Sequence, residues 1–333
     1  MNFKRMAALC CMLCLFGYSG CTQATAPATS PTPQTPIVVG FSQVGAESEW
    51  RVANTESVKA ALSEENGYEL IFDDARNMQE NQIRAIRNFI QQEVDFIVFS
   101  PRVETGWDSI LQEAKDAGIP VIVIDRDIVI ADENLYQAYV GSDFRQEGEK
   151  AVAWLAALLE KQERTAEEIR IVHLQGTLGS TAQLHRTAAL EAAVAKNGNW
   201  NIVEQENGDF TRAKAYEVMG AILQRTTDID VVYCENDGEA LGAIDALEEA
   251  GLTCHPDNGV IVISFDATRK GLEYCFEGRI ALNVECNPLQ GPYIDGIIRK
   301  LQAGEAVERK KFVDETLFDH YTITKGMIEQ RTY

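Results

Sequence analysis

The chain has 333 residues and carries 30 Lys and Arg against 51 Asp and Glu, which gives a formal net charge of −21 at pH 7. Proteins that bind nucleic acids or anionic lipid surfaces present basic surfaces, so this acidic balance argues against both kinds of partner. The length exceeds that of one typical domain and suits two lobes, each with its own core.

The amino-terminal segment has the layout of a secretory signal peptide. Two basic residues precede an apolar run over residues 6–16, which is shorter than the roughly 20 residues needed to cross a bilayer. The small residues directly before Cys21 resemble a bacterial lipobox. We therefore predict that residues 1–20 are removed and that Cys21 is lipidated, which places the exported protein on the outer face of the cell membrane or in the periplasm. Ordinary cleavage, with Cys21 taking no part, is the alternative.

Residues 21–36 form the predicted lipidated cysteine and a linker. The segment 22–36 is rich in Pro and Thr and has no charge and no large apolar side chain, so it cannot build a core. A spacer of this kind holds a folded body away from a membrane. A processing remnant is the alternative.

Four cysteines follow residue 21: Cys234, Cys254, Cys275 and Cys286. In an exported protein they are either buried thiols or include one structural disulfide, and their spacing does not reveal the pairing. No Cys-x-x-Cys pair occurs after residue 21, so we predict no metal site.

From residue 37 onward, short apolar runs alternate with amphipathic segments. The apolar runs predict strands at 37–42, 95–100, 120–125, 169–174, 201–204, 229–233, 260–264 and 280–284. The amphipathic segments predict helices at 50–66, 80–92, 107–117, 145–162, 182–196, 211–225, 238–250, 269–277 and 289–302. Runs as continuously apolar as 95–100 are typical of parallel strands that are buried on both faces. So many strand and helix units predict a doubly wound α/β fold.

Ligands of such sheets bind outside the carboxyl ends of the strands. Polar side chains stand at these ends in this chain, among them Ser42, Gln43, Ser100, Arg102, Asp125, Asp127, Gln175, Glu235, Asp237, Asp266 and Glu285. Carboxylates, amides and guanidinium groups complement a polyhydroxylated ligand, because each hydroxyl both donates and accepts hydrogen bonds. Trp50 is the leading candidate for a ring that packs on the ligand, and helix packing is the alternative reading of that residue.

Several short motifs share one resemblance. They are Gly40–Arg51, Gln79–Arg87, Thr105–Trp107, Asp125–Arg126, Gln175–Thr177, Gly208–Arg212, Asn236–Asp237 and Phe265–Asp266. In this order, across residues 37–333, they resemble the type I periplasmic binding proteins of ABC sugar importers, and among these the galactofuranose-binding members.

The resemblance implies two doubly wound lobes joined by a three-segment hinge. The N-terminal lobe is expected over 37–138 plus 287–314, and the C-terminal lobe over 139–286 plus 315–333. The implied ligand-binding residues of the first lobe are Glu47, Trp50, Arg51, Asp125 and Arg126. Those of the second lobe are Thr177, Gln183, Arg186, Asn236, Asp266 and Glu285.

Structural alternatives exist for three of the polar residues near the predicted site. Asp237 is also suited to cap the helix that follows it. Arg126 could serve only to pair with Asp125, and Arg186 could lie in a surface ion pair of little energetic value.

Three positions depart from the pattern of the family. Glu49 stands where glycine is expected, Arg102 stands where a small apolar residue is expected, and Cys234–Glu235 precedes Asn236. Extra charge near the cleft could change the choice of hydroxyl groups or admit an acidic or phosphorylated sugar, so the identity of the sugar stays open.

The motifs of common enzyme classes are missing. The part after residue 21 has no His-Glu-x-x-His, Gly-x-Ser-x-Gly, phosphate-binding Gly-x-x-x-x-Gly-Lys or dinucleotide-binding Gly-x-Gly-x-x-Gly. A transcriptional regulator would carry a helix-turn-helix where the signal peptide stands. We therefore predict a monomeric, cofactor-free binding protein, not an enzyme, that delivers a sugar, a furanose such as galactofuranose, to an ABC permease. The alternative is a sugar sensor that presents its ligand to a sensor kinase or chemoreceptor.

Overall fold

The computed structural model of the protein describes residues 35–333. The predicted signal peptide, Cys21 and nearly all of the linker lie outside the described residues. None of the helices between residues 35 and 333 is long and apolar enough to span a lipid bilayer.

Twelve strands occur in the described part of the chain. They are β1 (Ile37–Gln43), β2 (Tyr68–Asp74), β3 (Phe96–Phe99), β4 (Val121–Asp125), β5 (Ala138–Gly141), β6 (Ile169–Gln175), β7 (Trp200–Asn207), β8 (Val231–Cys234), β9 (Ile261–Asp266), β10 (Leu282–Glu285), β11 (Lys310–Phe312) and β12 (Leu317–Asp319). They form two six-stranded sheets, in the orders β11-β5-β4-β3-β1-β2 and β12-β10-β9-β8-β6-β7. Every pairing is parallel except that of β10 with β12. The doubly wound α/β architecture predicted from the sequence is confirmed.

Ten α-helices lie between or after these strands in residues 35–333. They are α1 (Glu49–Ala61), α2 (Gln79–Gln91), α3 (Asp108–Asp116), α4 (Phe144–Lys161), α5 (Thr181–Lys196), α6 (Arg212–Leu223), α7 (Asp237–Glu249), α8 (Arg269–Phe276), α9 (Gly291–Gln302) and α10 (Lys325–Gln330). Local chemistry sets where several of them begin: the side chains of Ser48, Asp143, Ser180, Thr211 and Asn236 each accept a hydrogen bond from a backbone N–H in the first turn.

Each sheet is buried on both faces, which explains the continuously apolar strands. In β3, Ile97 and Phe99 pack with α2 and α3, while Phe96 and Val98 face the core that α1 and α9 cover. The second sheet is covered in the same way, by α6, α7 and α8 on one face and by α4 and α5 on the other. Successive side chains of a strand point to opposite faces, so two buried faces require apolar residues at every position.

The chain passes between the two sheets three times. The passages lie between β5 and β6, between β10 and β11, and between β11 and β12. Strand β5 belongs wholly to the first sheet through its ladder with β4, so the first passage follows Gly141. The residue limits of the two lobes given by the resemblance remain a prediction.

Several elements of the structure were not predicted, and one predicted helix is too long. The unpredicted elements are β2, β5, β11, β12 and α10, all of which lie at or near a sheet edge or the chain end. The helix predicted over 50–66 ends at Ala61, and a separate 3-10 turn follows at Glu64–Asn66. Gly67, at φ 87°, closes that turn in the left-handed conformation directly before β2.

Candidate functional site

A cavity of about 310 Å³ lies where the carboxyl ends of the two sheets face each other. It is lined by Glu47, Ser48, Trp50, Arg51, Asp125, Arg126, Phe144, Ala182, Arg186, Phe210, Asn236, Asp266 and Cys286. Asp125 is the last residue of β4, and Asp266 is the last residue of β9. The cavity therefore occupies the position at which open α/β sheets bind ligands.

Arg51 is the centre of the charged network that the first lobe contributes. Its Nη1 donates to Asp125 Oδ2 at 2.5 Å and its Nε donates to Glu47 Oε1 at 3.0 Å. Ser100 Oγ donates to the same oxygen of Asp125 at 2.8 Å. Burial alone would lower the pKa of Arg51, but Asp125 and Glu47 outweigh it and raise that pKa above its ordinary value. This network holds the Asp125 carboxylate in place.

Arg126 is less fully paired than Arg51. Its Nη1 donates to the carbonyl oxygen of Arg102 at 3.0 Å, while Nη2 lies 3.7 Å from Glu47 and Nε lies 3.9 Å from Asp125. Burial, followed by the like charge of Arg51, lowers the pKa of Arg126 to about 10. The guanidinium group therefore stays charged at neutral pH and retains N–H groups for a ligand.

Glu47 lies between the two first-lobe cations. Burial raises its pKa, but Arg51 and Arg126 together hold the pKa of Glu47 below its ordinary value. Its Oε2 is buried without a hydrogen-bond partner among residues 35–333. Buried polar atoms are normally paired, so this oxygen is a candidate acceptor for a ligand hydroxyl.

Arg186 is the cation that the second lobe contributes. It extends from α5, and its Nε donates to Glu147 Oε2 on α4 at 2.7 Å, while Nη1 donates to the carbonyl oxygen of Glu235. The guanidinium group also lies over the rings of Phe144 and Phe265 at 5.2 and 4.6 Å. Burial works to lower the pKa of Arg186, yet Glu147 raises it above its ordinary value. Only 2% of Arg186 is exposed, so the alternative of a surface ion pair is wrong.

Asp266 differs from the other acids of the cavity. Within residues 35–333, its carboxylate has neither a hydrogen bond nor an ion pair, although the residue is only 5% exposed. Burial, together with the neighbouring Asp237, raises the pKa of Asp266 well above its ordinary value. This carboxyl group is free to serve a ligand.

Both strand-end aspartates adopt a left-handed backbone conformation. Asp125 has φ 62° and Asp266 has φ 99°, in the region that costs a residue with a Cβ atom roughly 1–2 kcal/mol. Aspartate tolerates this region better than most residues. The turn at each strand end directs the carboxyl group into the cavity, and backbone strain of this kind clusters at functional sites.

Apolar side chains form the rest of the cavity wall. Trp50 from the first lobe packs with Phe144, Ala182, Phe210 and Cys286. The Trp50 indole N–H donates to the carbonyl oxygen of Cys286 at 2.6 Å, and Arg126 lies 5.4 Å from the Phe210 ring. The helix-packing alternative for Trp50 is therefore incomplete, because its ring borders the cavity and bonds to the second lobe.

Gly176 makes room for the ring of Phe210. A Cβ atom at position 176 would lie 2.0 Å from that ring, so only glycine fits beneath it. Asp209 and Phe210 both have positive φ, at 54° and 59°. The loop between β7 and α6 is thus bent so that the ring enters the cavity.

The two lobes contact each other at the mouth of the cavity. Asp127 N donates to Thr181 Oγ1, whose hydroxyl in turn donates to the carbonyl oxygen of Asp127, both at 3.0 Å. Glu104 N donates to the carbonyl oxygen of Gly179, also at 3.0 Å. The two lobes are therefore in direct contact beside the cavity, which defines a closed arrangement.

Most of the implied ligand-binding residues come together at this cavity. Those that line it are Glu47, Trp50, Arg51, Asp125, Arg126, Arg186, Asn236 and Asp266. Asn236 also caps α7, since its Oδ1 accepts from Glu239 N at 2.8 Å, and the alternative of a cap by Asp237 is wrong.

Thr177, Gln183 and Glu285 do not line the cavity. The hydroxyl of Thr177 donates to Asp209, and the Gln183 side chain bonds to Thr187 and to the backbone N–H of Gly179. Glu285 is turned to the other side of its strand, where it bonds to Arg331, Tyr333 and the backbone N–H of Thr316. Glu285 is the last residue of β10, and its side chain points away from the cavity. It therefore binds the carboxyl-terminal segment instead of lining the cavity.

Five lining residues were not predicted: Ser48, Phe144, Ala182, Phe210 and Cys286. All five lie where a strand end leads into a helix or where a passage between the lobes begins, so the rule of the carboxyl ends covers them only in general terms. Ser48 and Phe210 lie within motifs that carry the family resemblance, which was the available signal.

The three departures from the family pattern do not line the cavity. Arg102 directs its side chain to Asn77, and Glu235 bonds to His173 and Thr187. Glu49, Arg102 and Glu235 therefore add no charge to the lining of this cavity. The cysteines at 234, 254, 275 and 286 are all buried free thiols.

The periplasmic binding protein domain matches residues 39–289, and the chain belongs to this family. The family expected from the sequence motifs is confirmed. Among curated relatives, the galactofuranose-binding protein YtfQ of Escherichia coli (strain K12) is 36% identical over 287 residues, which cover 85% of this chain and 88% of the relative.

Solved structures show the same likeness. A structure from Mycobacterium smegmatis in complex with β-D-fucofuranose has a TM-score of 0.80 at 43% identity and covers 86% of this chain and 92% of its own. The periplasmic component of the arabinose ABC transporter from Shewanella sp. ANA-3, bound to α- and β-L-arabinofuranose, has a TM-score of 0.81 at 38% identity and covers 89% and 95%.

Proposed function

We propose that the protein binds one monosaccharide, in a furanose form such as galactofuranose, in the cavity between its lobes and carries out no reaction on it. The observation that carries this proposal is the composition of the cavity wall: three buried guanidinium groups and two strand-end carboxyl groups stand opposite aromatic faces. A sugar presents hydroxyl groups around its edge and C–H groups on its faces, so charged hydrogen-bonding groups and rings together match it.

The balance of charge in the cavity favours a neutral ligand. Arg51, Arg126 and Arg186 are offset by Glu47, Asp125 and Glu147, and Asp266 adds a further acid. A phosphorylated sugar would bring negative charge beside an unpaired carboxyl group, which is unfavourable in a buried site.

The furanose form is supported by the relatives. Three similar proteins are a galactofuranose-binding protein, a protein in complex with β-D-fucofuranose and a protein bound to L-arabinofuranose. We propose that the direct ligand contacts come from the eight implied residues that line the cavity, and that Thr177, Gln183 and Glu285 act behind it.

Calorimetric titration with a panel of pentoses and hexoses tests the binding function. Residues 36–333 form one compact unit, so a fragment that starts at Pro36 is suitable. We expect tight binding of an aldose that populates a furanose form, and much weaker binding of its methyl pyranoside, whose ring is locked. Equal binding of the locked pyranoside would contradict the furanose proposal, and no binding across the panel would contradict sugar binding.

We further propose that the protein is a lipid-anchored monomer that passes its sugar to a membrane permease of an ABC importer. The support is the predicted lipobox at Cys21 and the likeness to import proteins. Cys21→Ala is expected to move the protein from the membrane fraction to the soluble fraction, because acyl chains supply the membrane affinity. A native protein that is already soluble would overturn the anchor while leaving sugar binding untouched.

A further inference from the structure

One carboxylate joins the three passages between the lobes. Glu315 lies between β11 and β12, on the third passage. Its Oε1 accepts a hydrogen bond from the hydroxyl of Ser142, just after β5, and from the backbone N–H of Asn287, just after β10, at 2.9 Å. The Ser142 hydroxyl also lies 3.3 Å from the sulfur of Cys286. The hinge thus has a polar centre formed by residues far apart in the sequence.

A second carboxyl group approaches this centre from α4. A carboxylate oxygen of Glu147, the Cys286 sulfur and a carboxylate oxygen of Glu315 all lie within 4.8 Å of one another. Glu147 is completely buried, and its Oε1 has no hydrogen-bond partner among the described residues. Its other oxygen is bound by Arg186. An unpaired oxygen in such a position requires a donor.

The charges around Glu315 favour one bound proton on the pair formed by Glu315 and Glu147. Among the described residues, the charged groups that act most strongly on Glu315 are Glu147 on α4 and Arg186 on α5. Its neighbour Cys286 also faces Asp266 and Tyr333, and its neighbour Tyr139 also faces Asp125 and Asp127. Arg186 is the single cation of this set. Two carboxylates that share one cation in a buried site cannot both ionise at ordinary cost, so the pair retains a proton.

We propose that Glu315 is a positioning residue that carries a proton at neutral pH and donates it to Glu147. The protonated pair holds the three passages in the closed arrangement and, through Glu147, holds Arg186 at the cavity. The last step rests on the proposed sugar-binding function, whereas the proton on Glu315 does not.

The pKa values agree with this geometry. Burial, followed by Glu147, raises the pKa of Glu315 to about 9, and burial also raises the pKa of Glu147 despite Arg186. A raised pKa in the folded state means that the contribution to stability is complete below the unfolded value of about 4.3 and is lost as the pH rises towards 9. Glu315→Gln keeps the neutral form at every pH and should remove this loss.

The test is the unfolding of the full mature chain, without ligand and in EDTA, from pH 5 to 9.5. Relative to Glu315→Gln, the wild-type unfolding constant should rise by up to about tenfold per pH unit through this window. Glu305→Gln, which changes an exposed acid, should follow the wild type. In infrared spectra at pH 7, the carboxylic acid C=O band of the wild type should lose intensity in Glu315→Gln and not in Glu305→Gln.

Two results would overturn the inference. One is an identical pH dependence in wild type and Glu315→Gln together with no difference in the carboxylic acid band. The other is stabilisation of the wild type by added Zn²⁺ that Glu315→Gln lacks, which would make the cluster a metal site. If the stability and infrared results are as expected and no sugar of the panel binds, the hinge inference stands and the proposed function fails.

Discussion

The two strand-end aspartates occupy equivalent places in the two sheets and have different surroundings. Asp125 ends β4 and Asp266 ends β9, and each strand is third in the order of its sheet. Arg51 and Ser100 bind the first carboxylate, whereas the second has no partner in the described chain. Equivalent strand ends therefore carry acids in different states. Asp125 is already paired within the protein, whereas Asp266 has no partner in the described chain and is available to a ligand.

This difference indicates that the two lobes contribute to ligand binding in different ways. The first lobe contributes a preorganised set of charges, which reduces the entropy lost when a ligand binds. The second lobe contributes a carboxyl group with a raised pKa, able to donate or accept according to its protonation. Binding of the ligand would complete the second set of contacts and so favour closure.

The largest effect should follow from removing the second-lobe cation. Arg186→Ala leaves Glu147 buried without its counter-charge, and breaking a buried pair in this way costs about 3–5 kcal/mol. Arg126→Ala should cost less, because within residues 35–333 Arg126 makes a single close hydrogen bond. Urea unfolding of the two variants measures the difference. Equal losses of stability would show that the lobes do not differ in this respect.

The next effect concerns ligand affinity. Asp125→Asn removes the charge that Arg51 pairs with, so the sugar should bind about 10–100-fold more weakly, equivalent to about 1.5–3 kcal/mol. Asp266→Asn keeps a neutral hydrogen-bonding group at a site whose acid has a raised pKa, so its loss should be smaller. Calorimetry at pH 6 compares them. A larger loss for Asp266→Asn would mean that the ligand requires the ionised acid there.

The unpaired carboxyl group of Asp266 should also change how the free energy of unfolding depends on pH. Because the folded pKa of Asp266 is raised, its contribution to stability is complete below the unfolded value of about 3.9 and is lost as the pH rises above it. Asp266→Asn should therefore gain stability relative to the wild type between pH 4 and 8. Melting temperatures at intervals across this range test the expectation, and a constant difference would contradict it.

The smallest effect is expected far from both aspartates. Glu248→Ala removes a half-exposed ion pair with Arg279, and such pairs contribute about 1 kcal/mol or less. Sugar affinity should change less than twofold. A strong effect on affinity would show that stability and binding are not separable in this protein, and would weaken the comparison of the lobes.

The sequence was sufficient for most of the fold. Runs such as Phe96–Phe99 are apolar at every position, which is possible only for a strand covered on both faces. Short edge strands such as β11, where Lys310 and Phe312 are exposed, carry no such pattern and were missed. Their position depends on pairing with β5, a contact distant in the chain.

The candidate site was recovered in part for the same reason. Asp125 and Asp266 follow directly from the rule that ligands lie at the carboxyl ends of parallel strands. Phe144 and Cys286 enter the cavity only because the passages between the lobes bring them there. Glu285 also ends a strand, but its side chain faces Arg331 and Tyr333 on the opposite side.

By itself, the sequence determined the repeated strand and helix units, the order of the motifs and the chemical character of the strand ends, because these depend on periodicity and on residues close in the chain. Only the tertiary structure decided which charges are paired. The structure pairs Arg51 with Asp125 and brings Glu147 close to Glu315, and each pair joins residues far apart in sequence. It also leaves the carboxyl group of Asp266 without a partner among the described residues. Electrostatic energies depend on distance and burial, and both are set by how the two sheets pack.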